Sequence, residues 1–336
     1  MFPKLGAEQH SQRIKRLWLG ESVFGAVSWR SMEHSTTTVE ATHRGLITTV
    51  IAFVMLTKPR IIELLLITTV PAMIAAKGGM PDLWLVLVTV AGGTLAAGGA
   101  NTFNMYIDRD IDQMMQRTQG RPLVTGAVSP RAALIFGFVL EIAAFVLFVT
   151  WVNLLSALLA GGACLFYVLV YSLWLKRTSK QNIVIGGAAG AAPALIGWAA
   201  VTDSLALSPV LLFAIIFFWT PPHFWALAIK YVDDYEAASV PMLPVVVSTR
   251  NTAIQMFGYT VVVIAFSIWF HIVADTTLFY LLVALVAGLL FLWRTFGLLR
   301  RPNAVQAMKV FTFSIVYLAA LFIAIAIDVL VYGTGS

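Results

Sequence analysis

The feature that most constrains this chain is a succession of apolar runs, each about 17–25 residues long, separated by short polar links. That length crosses a hydrocarbon core of about 30 Å. Inside lipid every backbone amide must be bonded within its own segment or a closed barrel. A membrane barrel would alternate apolar and polar residues over about ten positions. Runs such as the one from Ala132 to Trp151 do not alternate, so the spans are helices. Composition agrees: 60% of residues are hydrophobic and only 11% charged, against about 25% charged in soluble domains. The expected fold is an all-α membrane bundle with nine spans at 60–76, 83–107, 132–151, 154–175, 182–202, 207–230, 253–273, 277–298 and 309–332. Residues 1–55 are expected to form a cytosolic extension and 56–333 the helical domain.

With those spans, 21 of the 22 Lys and Arg fall on one side and only Lys77 on the other. Cytoplasmic loops are the ones enriched in Lys and Arg, so the N-terminus is expected in the cytosol. The same sorting explains the formal charge of +6 without nucleic acid. The N-terminal 45 residues lack the apolar core of a signal peptide, and Glu8, Glu21 and Glu33 argue against a transit peptide; a bacterial inner (plasma) membrane is expected. Arg13 to Leu19, basic and including Trp18, suits a membrane surface or a solvated tail, and the run from Leu46 to Leu56 is short for a span. The single cysteine, Cys164, excludes an internal disulfide and reads as a small core residue.

Chemistry gathers at the cytoplasmic helix ends. Asn104, Asp108 and Asp112 stand at i, i+4 and i+8, within an arc of about 80° on a helix. Carboxylates so close repel unless a cation sits between them, and hard oxygen ligands suit Mg²⁺, which commonly shares carboxylates with substrate phosphates. The plain alternative is a solvated helix end. Arg117 and Arg121 follow at once, and a chelating stripe beside two arginines fits a diphosphate. A second acidic segment, Asp233-Asp234-Tyr-Glu236, ends span six and leads into Pro241-Met-Leu-Pro244; it reads as a second metal-binding segment or as a charged interface loop. Lys176 and Arg177 read as diphosphate ligands or as topology determinants. Pro221 and Pro222 are expected to kink span six, placing His223 beside freed carbonyls. Glu141 lies mid-span and calls for a cavity or a partner. Glu63 and Asp328 lie nearer helix ends, within reach of water, and His271 lies near the outer face.

Asn104-x3-Asp108-x3-Asp112, then Arg117-Thr-x2-Arg121-Pro-Leu, resembles the first motif of the UbiA-type intramembrane prenyltransferases. Lys176-Arg177-Thr, Gln181-Asn182, Pro222-His223-Phe-Trp225, Asp233-Asp234-Tyr and Pro241-Met-Leu-Pro244 resemble the branch that farnesylates protohaem IX. The likeness covers roughly residues 56 to 330. It implies a nine-helix bundle with a central cavity open to lipid. It also implies transfer of the farnesyl group of farnesyl diphosphate to a vinyl group of haem B, with addition of water. By this resemblance Asn104, Asp108, Asp112, Asp233 and Asp234 hold Mg²⁺, and Arg117, Arg121 and Lys176 bind the diphosphate. His223 becomes a candidate ligand of the haem iron, and haem A synthase or oxidase assembly factors become candidate partners. Two departures stand out. Position 237 is Ala, where the wider superfamily carries an aspartate four residues after the first. Tyr171 stands five residues before Lys176 instead of four, so it receives no catalytic role here. Rival readings are a prenyltransferase for another aromatic acceptor and a proton-coupled secondary transporter using Glu141 and His223.

Overall fold

The structure is a computed structural model that describes residues 36–333, with side chains outside 36–44, 60–61 and 63–66. The expectations for the N-terminal extension up to 35, and for the side chains of Arg44, Arg60 and Glu63, lie outside the described residues. The chain divides into two compact units, Met1–Ile47 and Thr48–Ser336.

Every regular element among the described residues is a helix. The helices are α1 (Thr36–Leu56), α2 (Pro59–Lys77), α3 (Leu83–Ile107), α4 (Arg109–Met114), α5 (Pro130–Trp151), α6 (Leu154–Leu165), α7 (Asn182–Thr202), α8 (Leu207–Lys230), α9 (Val232–Ala237), α10 (Leu243–Val246), α11 (Thr249–Val273), α12 (Leu278–Arg300) and α13 (Ala304–Tyr332). Beyond α6 the chain continues as a π-helix, Phe166–Leu175, and a last α-turn, Lys176–Thr178. Among the described residues eight helical spans are long and apolar enough to cross a membrane: α3, α5, α6 with its continuation, α7, α8, α11, α12 and α13. In α2 the stretch whose side chains are described without interruption, Ile67–Lys77, is apolar but shorter.

Local chemistry sets the boundaries. Asp82, Ser129, Asn153, Ser248 and Asn303 each accept a backbone N–H of the first turn they precede, satisfying donors that a helix start leaves orphaned. One N-cap comes from another helix. Asp328 of α13 is fully buried and accepts the backbone N–H of Thr277 at 2.8 Å and of Tyr280 at 3.4 Å, together with the Thr277 hydroxyl. The expectation that Asp328 reaches water is therefore corrected: it closes the start of α12.

Helix neighbours fall into two groups. In one, α3, α5 and α6 pack together; in the other, α8 packs against α11 and α13, and α12 against both. Between them α7 touches α2, α6 and α8, and α2 also touches α13 and α3. The α3–α5 contact relies on glycine. A Cβ on Gly92 would lie 2.9 Å from the Phe148 ring, and one on Gly99 would lie 2.5 Å from a Glu141 carboxyl oxygen. Glu141 thus finds its place over Gly99, and one of its carboxyl oxygens is buried without a hydrogen-bond partner. The large aromatic core, including Trp219, Trp225, Tyr280, Phe291 and Tyr317, lies in the α8–α13 group. Leu56 and Ala52 of α1 pack on Met105, Val128 and Ala133. These lie at the bundle end where α3 finishes and α5 begins.

Candidate functional site

At that end of the bundle the Asn104 stripe is buried. Asn104 is 3% exposed, Asp108 0% and Asp112 2%. The spacing keeps all three on one side although the helix breaks at Asp108, which is at once the C-cap of α3 and the N-cap of α4. The amide of Asn104 donates to Asp108 at 2.8 Å and to the Ser172 hydroxyl at 3.1 Å. Buried carboxylates require partners, and cations from three different segments gather on the stripe. Lys176 binds Asp108, Arg121 binds Asp112 at 2.6 Å, and Lys58 donates to the Asn104 carbonyl at 2.6 Å.

Lys58 is a site residue that sequence reasoning missed. It lies in the two-residue link between α1 and α2, in the left-handed region at φ 54°, a conformation uncommon for a residue with a Cβ. Asn101 anchors the same link by donating to the Thr57 carbonyl at 3.0 Å. Burial first, and then the Arg121 guanidinium, lower the Lys58 ammonium to about 7 against the opposing pull of Asp108. Asp110, off the stripe, holds Arg177 through two hydrogen bonds of 2.8 and 2.7 Å, while Arg177 also donates to the Ile107 carbonyl. That pair, chiefly through the hydrogen bond from Arg177, lowers Asp110 to about 2. Arg177 therefore clamps the segment that carries Lys176.

Below the stripe opens a cavity of about 340 Å³. Lys58, Asp112, Arg117, Arg121 and Lys176 line its mouth; small residues such as Gly93, Ala96 and Ala97, with Thr68, Thr69 and Thr89, line its body. Tyr167 and Tyr171 also line it, their rings stacked at 5.2 Å. The exclusion of Tyr171 on spacing assumed an α-helix, and the segment is a π-helix. At about 4.4 residues per turn, five residues overshoot a full turn by about 50°, close to the roughly 40° of four residues in an α-helix. Ser172 donates to the Tyr167 carbonyl five residues back at 2.9 Å, in keeping with this register. Tyr171 and Lys176 consequently share the cavity face.

The other expected residues sit differently. His223 is not among the lining residues, although Trp219, Thr220 and Phe224 are. Its ring stacks between Trp219 and Phe311, with centroids at 4.3 and 4.6 Å, and its Nδ1 meets the Ser314 hydroxyl at 2.7 Å. Its partner is therefore Ser314 of α13 and not a carbonyl freed by proline, and α8 runs as one helix through Pro221 and Pro222. Ser314 itself donates to the Phe311 carbonyl at 2.6 Å, so its hydroxyl oxygen is left to accept from Nδ1. Asp233 and Glu236 are exposed. Asp234 accepts the backbone N–H groups of Gln116 and Arg117 at 3.4 and 3.3 Å. Among the described residues no three His, Cys, Asp or Glu side chains converge.

The stripe still fits a divalent cation. One carboxylate oxygen of Asp108 is buried with no hydrogen-bond partner, the donors are hard oxygens, and Mg²⁺ takes the rest of its shell from water and phosphate. The second acidic segment does not fit a metal in this arrangement, because Asp234 faces amides and Asp233 faces solvent.

The UbiA prenyltransferase family model matches residues 65–326. A protein of Streptomyces avermitilis named protoheme IX farnesyltransferase is 54% identical over 283 residues, which cover 82% of this chain and 93% of the relative. A Frankia alni protein of the same name is 53% identical over 283 residues, 83% of this chain and 98% of the relative. Among solved structures, one of a digeranylgeranylglyceryl phosphate synthase superposes with a TM-score of 0.70 at 18% identity, covering 84% of this chain and 98% of the other. A UbiA homolog from Archaeoglobus fulgidus bound to GPP and Mg²⁺ gives 0.56 at 16%, covering 82% and 99%; at such identities the likeness concerns the fold. With a matching model over most of its length and relatives at half identity, the chain belongs to the UbiA prenyltransferase family.

Proposed function

We propose that the protein transfers the farnesyl group of farnesyl diphosphate to a vinyl group of protohaem IX (haem B), with addition of water. The observation that carries this reading is the cavity itself: an apolar body capped by four cations around two buried carboxylates. The names of its half-identical relatives support the choice of acceptor. The diphosphate would lie at the mouth against Lys58, Arg117, Arg121 and Lys176, with the prenyl chain along the body of the cavity. Asn104, Asp108 and Asp112 would hold Mg²⁺, which when bound neutralises charge on the leaving diphosphate. The four basic side chains stabilise the charge that develops as the carbon–oxygen bond of the substrate breaks. Tyr167 and Tyr171 present ring faces below that point, where an allylic cation forms, and the apolar walls exclude bulk water. The terminal vinyl carbon bonds to the farnesyl carbon, the other vinyl carbon bonds to a water oxygen, and one water proton leaves with the diphosphate.

In this reading α2 is a ninth span and residues 56–333 form the catalytic domain. The N-terminal extension and the site face the cytoplasm of a bacterial inner membrane, and haem A synthase or oxidase assembly factors receive the product. The one-sided distribution of Lys and Arg supports that orientation.

The test is a product assay on membranes supplied with haem B, farnesyl diphosphate and Mg²⁺, with Asp108→Ala in parallel. A haem heavier by farnesyl plus water, absent in the variant, is the expected result. An active preparation that prenylates a different acceptor would overturn the assignment of haem as substrate.

A further inference from the structure

The second acidic segment has a task other than metal binding. Arg117 lies at the cavity mouth on a three-residue 3₁₀ turn, Gln116–Thr118, too short to hold a guanidinium in place by its own hydrogen bonds. The supports come from one stretch, Tyr231 to Tyr235. Asp234 accepts two consecutive N–H groups at the start of the turn. The Tyr235 hydroxyl accepts from the guanidinium at 3.1 Å. The guanidinium carbon lies 5.3 Å from the Tyr231 ring centroid and 5.6 Å from that of Tyr235, within cation–π range. On its other side Thr118 donates to the Asp112 carbonyl at 2.8 Å, tying the turn to the metal stripe.

We propose that Tyr231-Val-Asp-Asp-Tyr235 is an arginine cradle: Asp234 fixes the turn, the two tyrosines fix the Arg117 side chain, and only the Asn104–Asp108–Asp112 stripe ligates metal. Asp234 is then a positioning residue for the diphosphate and the site holds one metal ion. This accounts for Ala at 237, since a segment that no longer ligates has no need of a second carboxylate one turn on. It also accounts for the two tyrosines, which a metal site would not require. The inference rests on the prenyl diphosphate reading above for the identity of the anion, but the cradle itself does not.

The experiment uses the full-length protein in lipid nanodiscs and three readouts. Hydrogen exchange of the Gln116 and Arg117 amides is measured without ligand; it rises in Asp234→Ala, and stays near wild type in Asp234→Asn, which keeps an acceptor, and in Asp233→Ala. Affinity for inorganic diphosphate in Mg²⁺ falls about tenfold in Asp234→Ala and in Arg117→Ala, and little further in the double variant, as expected for loss of one charge-assisted contact. Mn²⁺ counted by electron paramagnetic resonance with saturating diphosphate gives one ion per chain in wild type and in Asp234→Ala, and none in Asp112→Ala. Two ions in wild type falling to one in Asp234→Ala would overturn the inference, as would unchanged amide exchange. Accelerated exchange in a protein that binds no diphosphate would leave the cradle standing and sink the proposed function instead.

Discussion

Lys58 shows what a residue can conceal in a sequence. Between a threonine and a proline it reads as one more cytoplasmic lysine, because neither its left-handed backbone nor its partner Asn104, 46 positions away, leaves a local signature. Its ammonium, lowered to about 7, carries a consequence for binding. The protonated form attracts a diphosphate and the neutral form does not, so the contribution of Lys58 to affinity is full below about pH 7 and declines as pH rises through that value. Lys58→Arg stays charged throughout and should flatten this part of the profile, measured as diphosphate affinity from pH 6 to 9. His223 concealed the opposite. An ionisable residue inside a span invites a functional reading, yet its ring serves the α8–α13 contact. His223→Ala is expected to lower stability by about 1–3 kcal/mol through lost packing and one hydrogen bond, and to leave the haem absorption spectrum and affinity unchanged. A lost Soret shift on haem titration would restore the ligand role.

At the scale of elements, most spans were legible because lipid admits so few solutions. The helix ends lie within a few residues of the apolar runs, and the stripe on α3 and α4 was readable from its period of four. The π-helix was not readable: sequence spacing translates into facing only once the residues per turn are known. This segment tolerates a shortening that an α-helix would not. Deleting the exposed Leu173 puts Tyr171 four residues before Lys176, which suits a relaxation to α-geometry. The deletion variant should keep at least about a tenth of wild-type activity, whereas deleting the exposed Leu158 in α6 rotates everything beyond it by about 100° and should abolish activity. Asp328 was misread for a related reason, since its donors belong to another helix. Asp328→Ala leaves two N–H groups and a hydroxyl at the start of α12 without their acceptor and should cost about 2–4 kcal/mol. Thermal unfolding in detergent measures it, with Asp328→Asn expected to recover part of the loss.

Taken whole, the bundle holds its charged chemistry at one end and an apolar channel behind it. Gly93 lies about 16 Å along α3 from Asn104, faces the cavity and has open space where a Cβ would be. Gly93→Phe should shift preference from farnesyl towards geranyl diphosphate by at least about tenfold, read from competitive product ratios; an unchanged ratio would show that the chain takes another path. The resting mouth has a last consequence. Asp108 and Asp112 already have counter-ions in Lys176 and Arg121, so the carboxylates of the empty protein are neutralised internally and offer little attraction to a lone cation, while Lys58 and Arg117, held by an amide and a hydroxyl, keep their charge for an anion. A divalent ion arriving at the carboxylates releases the two side-chain cations, and a diphosphate gives them a new counter-charge. Each guest therefore strengthens the other's affinity by the same factor, as linkage demands, and the enzyme should behave as a trap for the metal–diphosphate pair, discharging both together once the prenyl chain has gone.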